Sequence, residues 1–305
     1  MSAPLNRRTH LVERAAEMLG GPGTPMAAPP PAIAPERAAE RPGPERPAPA
    51  PAAAPAAPPP PVISRATLVE AGLIHSPDGP QRSRRWEEMT IVQHQVVRTI
   101  KDAASGLGPR GRIVLVTSAM PNEGKTFTSL NLAASIAISS TRHVVLVDAD
   151  GRLGGISHTL GVPTEMGLRA LAQDVGNRRA ATPLPTAIER LHILPYGASL
   201  PGQPDLPSGA SMAAAVLRLA GSLPDHIVVL DTPPCLSTSE PTALAAVAGQ
   251  VVLVVDAERT QRNEVEAALD MIDACPVLQL LLNRVRLTAN DTFGAYGNYE
   301  APHDT

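Results

Sequence analysis

Three short segments carry residue types that chemistry needs. The first, Ser118-Ala-Met-Pro-Asn-Glu-Gly-Lys-Thr126, follows an apolar run and opens a helical stretch. Its close, Gly124-Lys125-Thr126, reads as the end of a phosphate-binding loop, although Ala119 replaces the usual first glycine. Backbone N–H groups of such a loop and of the helix N-terminus cradle phosphate oxygens. Lys125 can reach the outer phosphates, and Thr126 can ligate an accompanying Mg²⁺. The second segment, Val144-Val-Leu-Val-Asp148-Ala-Asp150-Gly-Arg152, sets two carboxylates one residue apart after an apolar run. One can take a proton from an acceptor hydroxyl, and the other can hold Mg²⁺ through water. Arg152 can offset phosphate charge. Alone, this segment is better read as a turn. The third, Ile227-Val-Val-Leu-Asp231-Thr-Pro-Pro234, ends an apolar run on an acidic residue, as the second half of a metal–phosphate site does. A plain strand end explains it equally well in isolation.

These residues need elements to position them. Short apolar runs at 113–117, 143–147, 226–230, 250–255 and 277–282, with a weaker one at 191–194, predict strands buried on both faces. Helical stretches are predicted at 86–104, 125–139, 211–222, 240–248 and 261–274. Alternation of this kind gives an α/β fold, a mostly parallel sheet covered by helices on both faces. Ligands of such sheets bind beyond the carboxyl ends of the strands, where all three segments begin.

The chain has 305 residues, 34 of them proline, with two cysteines and a formal charge of −3. Sixteen prolines crowd between Pro22 and Pro61, in a stretch with too little apolar side chain to offset the entropy of ordering it. The expected organisation is a short amphipathic helix over 1–19 and a disordered Pro/Ala-rich tether over 20–61. A short docking segment over 62–85, a catalytic domain over 86–290 and a flexible tail over 291–305 follow. No run of about 18 apolar residues suggests a membrane span. The first twenty residues lack a signal core, so a cytoplasmic chain is expected. Two distant cysteines exclude a disulfide scaffold, and the charge balance points away from nucleic acid. His143 and His192 border strands without paired ligand spacing and read as structural.

Taken together, the three segments resemble those of the bacterial tyrosine kinases, relatives of the deviant phosphate-loop ATPases. The family loop reads Ser-x-x-Pro-Gly-Glu-Gly-Lys-Thr, with Asn122 here in place of its first Gly. Asp148, Asp150 and Arg152 match the family's Asp-x-Asp-x-Arg, and Asp231, Pro233 and Pro234 match its Asp-x-Pro-Pro. The amphipathic start and Pro-rich tether resemble the exopolysaccharide-locus subgroup associated with exosortase systems. The resemblance implies a P-loop NTPase fold, with ATP held by Pro121, Asn122, Glu123, Gly124, Lys125, Thr126, Phe127 and Asn283. It implies Mg²⁺ held by Thr126, Asp150 and Asp231, with Lys125, Asp148, Asp150 and Arg152 catalytic and Asp148 as proton acceptor.

By the same resemblance, phosphate would pass to Tyr296 and Tyr299, two of the three tyrosines. The implied partners are a membrane activator of the polysaccharide chain-length-determinant type, a cognate tyrosine phosphatase and further copies of the chain. The implied location is the inner face of the cytoplasmic membrane. A family helix carries Glu-x-x-Arg-x-x-Arg for ring assembly; the comparable stretch from Glu87 has Thr90 and Gln93 instead. The competing reading is an ATPase switch of the Min and Par type. Those proteins carry an extra lysine early in the loop, aligned here with Met120.

Overall fold

The structure, a computed structural model, describes residues 63–75, 83–103, 106–151, 155–162, 166–174, 182–198 and 207–286. The expected N-terminal helix, the tether and the tail with Tyr296 and Tyr299 lie outside the described residues, as does Arg152.

Seven strands build one sheet: β1 (Ile113–Ser118), β2 (His143–Asp148), β3 (Leu184–Pro185), β4 (Leu191–Leu194), β5 (His226–Asp231), β6 (Gln250–Asp256) and β7 (Leu278–Asn283). Their order is β3-β4-β2-β5-β1-β6-β7, parallel throughout except for the antiparallel pair β3–β4. β1 shows why the apolar runs form strands. Ile113 and Leu115 enter the core on one face, while Val114 and Val116 enter the core on the other. A strand sandwiched this way needs β-branched and leucine side chains at successive positions.

Eight α-helices flank the sheet among the described residues. On one face lie α1 (Arg65–Glu70), α2 (Arg84–Ala103), α3 (Lys125–Ser139) and α4 (Ile156–Thr159). On the other lie α5 (Leu168–Gln173), α6 (Gly209–Ser222), α7 (Glu240–Ala245) and α8 (Arg262–Met271). Side-chain caps set several starts. Ser64 accepts from the Thr67 N–H before α1, Ser208 accepts from the Ser211 N–H before α6, and Gln261 and Glu264 form a capping box on α8.

The observed elements differ from the sequence expectation in three ways. Helices α7 and α8 stop three residues early, and β3, α4 and α5 are too short for periodicity to show. Strand β7 is not sandwiched: it is the sheet edge, and Leu278, Leu280 and Leu282 are exposed. Residues 63–75 pack into the core, so the folded unit begins well before residue 86. Ile63, Leu68 and Leu73 are buried, and Ile63 exchanges backbone hydrogen bonds with Pro185 and Ala187.

Candidate active site

The site is assembled at the carboxyl ends of β1, β2 and β5. Asp148 and Asp231 end adjacent parallel strands and are direct register partners, which sets their backbones about 4.8 Å apart. Between β1 and α3 runs the loop 119–124. Lys125, first residue of α3, places Nζ 2.9 Å from Asp150 Oδ2, with both side chains largely buried. The three segments therefore converge.

Two residues in the loop have left-handed backbone, Asn122 at φ 67° and Gly124 at φ 98°. Asparagine is among the few non-glycine residues that adopt this conformation readily, so Asn122 fills the role of a glycine there. At Gly124 a Cβ would collide with Asn283 Nδ2. That amide donates to the Glu123 carbonyl at 2.8 Å, while its oxygen accepts from the Arg284 N–H. Asn283 thus clamps the loop backbone. Glu123 is buried and acts as a second clamp. Its carboxylate accepts from the Met120 N–H at 2.7 Å, from the Asp256 N–H and from the Thr260 hydroxyl. Sequence reasoning missed Asp256 and Thr260, although Val255-Asp256 repeats the pattern of an apolar run ending on aspartate.

The three carboxylates differ sharply. Asp148 accepts three backbone N–H groups, from Asp150 and Gly151 on one oxygen and Ser157 on the other, at 2.9, 3.3 and 3.0 Å. A carboxylate offers about four acceptor positions, so one remains for a proton. Asp150 is paired with Lys125. Asp231 is fully buried, and neither of its oxygens completes a hydrogen bond of normal geometry. Burial pushes its carboxyl up to about 7, partly opposed by Lys125 and the Thr126 hydroxyl. An orphaned buried carboxylate beside a hydroxyl and a second carboxylate is the hard-oxygen donor set that suits Mg²⁺.

Neighbouring segments hold this edge rigid. The Thr117 hydroxyl donates to the Pro233 carbonyl, and the Cys235 N–H donates to the Ser118 carbonyl, both at 2.8 Å. Gly151, at φ 62°, lies under the Tyr196 ring, where a Cβ would come within 2.6 Å. Burial raises the Tyr196 hydroxyl above the usual tyrosine range; this tyrosine is a packing residue. A cleft of about 890 Å³ touches Gly124, Phe127, Thr128 and Asn283, and a second of about 300 Å³ touches Pro121, Asn122 and Glu123. Neither is lined by the three aspartates.

The chain is 27% identical over 213 residues to the tyrosine-protein kinase YwqD of Bacillus subtilis, covering 69% of this chain and 88% of YwqD. It is 31% identical over 198 residues to the tyrosine-protein kinase CpsD of Streptococcus agalactiae, covering 63% of this chain and 83% of CpsD. The chain belongs to the bacterial tyrosine-protein kinases. No protein-family model matches it. The chimerical protein CapA2B2 shares the kinase's fold, with a TM-score of 0.52 at 21% identity over 73% of this chain and 96% of that one. As a tyrosine-protein kinase, the chain binds a nucleotide and transfers its phosphoryl group to tyrosine. Among the described residues, no helix of the kinase is long and apolar enough to cross a membrane.

Proposed function

We propose that this kinase binds MgATP on the loop 121–127 and phosphorylates Tyr296 and Tyr299 in its own C-terminal segment. The convergence of Lys125, Asp148, Asp150 and Asp231 on one sheet edge carries this reading. In it, loop N–H groups and Lys125 hold the phosphates, and Lys125 leaves Asp150 to do so. Thr126, Asp150 and Asp231 hold Mg²⁺. Bound there, Mg²⁺ neutralises the charge on the phosphate oxygens. Phe127 and Asn283 border the larger cleft, which is apolar enough to take a purine. Asp148 uses its remaining acceptor position for the tyrosine proton. The phenolate oxygen forms the new bond to phosphorus as the bond to the bridging oxygen breaks. Arg152 is assigned the role of offsetting charge on the transferring group.

The proposed setting is polysaccharide export at the inner face of the cytoplasmic membrane, with a chain-length-determinant-type activator, a resetting phosphatase and further copies of the chain as partners. Gln93 of the helix comparable to the ring-forming one is buried, so copies would have to meet through other residues.

The test is incubation of the full chain with Mg²⁺ and γ-labelled ATP, followed by mapping of the label. Label on Tyr296 or Tyr299, lost in Lys125→Met and on deletion of 291–305, is expected. Hydrolysis without protein-bound phosphate would overturn the reading.

A further inference from the structure

Three histidines unused by the phosphate site meet at the opposite edge of the sheet. His143 opens β2 and His226 opens β5, as direct register partners. His192 lies on β4 opposite Val145, two residues along from His143 and so on the same face. Ring centroids are 5.1 Å apart for His143 and His226, and 6.2 Å apart for each of the other pairs. One nitrogen from each ring lies within 4.8 Å of one from each of the others, the one such group of three or more ligand-type side chains among the described residues.

We propose that His143, His192 and His226 form a site for a divalent transition-metal ion of the zinc type, held by three imidazole nitrogens with a fourth position open to solvent.

Three observations support this. Nδ1 of His192 and Nδ1 of His226 are buried without a hydrogen-bond partner, a cost that metal coordination would remove. The ligands sit on three adjacent strands whose backbones are fixed by the sheet, while His143 is exposed and gives a way in. A tetrahedral site with bonds of about 2.05 Å needs nitrogens about 3.3 Å apart. Contraction from separations of no more than 4.8 Å is within reach of rotation about χ2, a broad torsion in histidine.

Charge around the site selects the kind of metal. Arg112 donates to the carbonyls of Ala220, Leu223 and His226 and brings a cation close, with Arg142 beside it and Asp225 offsetting part. A hard cation such as Mg²⁺, which wants anionic oxygens, gains little there. Zn²⁺, Co²⁺, Ni²⁺ and Cu²⁺ bind neutral imidazole well. The two edges of the sheet thus suit two classes of ion. The site would tie β4, β2 and β5 together about five residues, or about 16 Å, from Asp148 and Asp231.

The test uses the untagged full chain, treated with chelator and titrated with Co²⁺ at pH 7.5 in excess Mg²⁺. One equivalent giving the visible bands of a tetrahedral nitrogen site, and displaced by Zn²⁺, is expected. Affinity should fall at least about 100-fold in His192→Gln and His226→Gln. His94→Gln and His158→Gln, both exposed positions away from the cluster, should change nothing. His143→Gln, at the rim, is the variant least able to disturb the core and should also lose the bands. The absence of a tetrahedral spectrum, or binding that survives all three cluster substitutions, would overturn the proposal.

Discussion

Asn122 and Asp231 show how much of the site's behaviour is decided by one backbone angle or one buried charge. Asn122 sits at φ 67°, so Asn122→Gly should leave stability nearly unchanged. Asn122→Val should cost about 1–2 kcal/mol through left-handed strain and weaken nucleotide binding, as urea unfolding and a nucleotide titration would measure. For Asp231 the folded carboxyl is raised to about 7 against an ordinary value of 3.8. The folded state therefore favours the protonated acid. The stability this gives is fully present below pH 3.8 and is lost as pH rises through about 7. Asp231→Asn has no such loss. In chelator at pH 8 the variant should be more stable by on the order of 4 kcal/mol, a margin that shrinks toward pH 4. Phosphoryl transfer by the same variant should fall to background. That pairing of gained stability with lost activity is the mark of a functional carboxylate. The type and spacing of Lys125, Asp148, Asp150 and Asp231 were readable in the chain. The clamping by Glu123 and Asn283 was not, because it depends on which backbone atoms lie across the turn from them.

Helix α3 carries more than Lys125 and Thr126. Its buried Asn131 accepts from the Ile74 N–H at 2.9 Å and donates to the carbonyls of Gly72 and Phe127 at 3.0 and 2.9 Å. That amide fastens the segment after α1 to the helix that presents the phosphate loop. Asn131→Leu would strip three bonds and leave the half-buried Ile74 N–H without its partner. The expected cost is about 2–4 kcal/mol, read by urea unfolding. A lesser effect on nucleotide affinity should accompany it, since Phe127 and the loop move with the helix. The strands β1, β2, β5 and β6 were legible because both-face burial leaves an unbroken apolar run, while His192 interrupts the run of β4 and weakens its signal. The run at 277–282 is apolar but for Gln279, yet its strand is an edge with exposed leucines. An apolar run reports that a strand forms, not how many of its faces are covered.

One parallel sheet places its two polar clusters at opposite ends of the same strands, aspartates at the carboxyl edge and histidines at the amino edge. A ligand that binds only the folded chain stabilises it by mass action. MgATP at 100 times its dissociation constant should therefore add about 2.7 kcal/mol, a rise in Tm of roughly 5–10 °C. A thermal scan of Lys125→Met should show most of that rise gone. Local order in the chain was enough to specify the alternating strands and helices, and hence the loop and the two acidic strand ends on one edge, because topology forces residues after parallel strands to a common side. Register and strand neighbourhood were decided by the packed sheet alone. Nothing in the spacing of His143, His192 and His226 pairs them, since β4 and β5 reach β2 only after long excursions through α4, α5 and α6. Contacts made by chain returning from far away have no local signature, and folding supplies them.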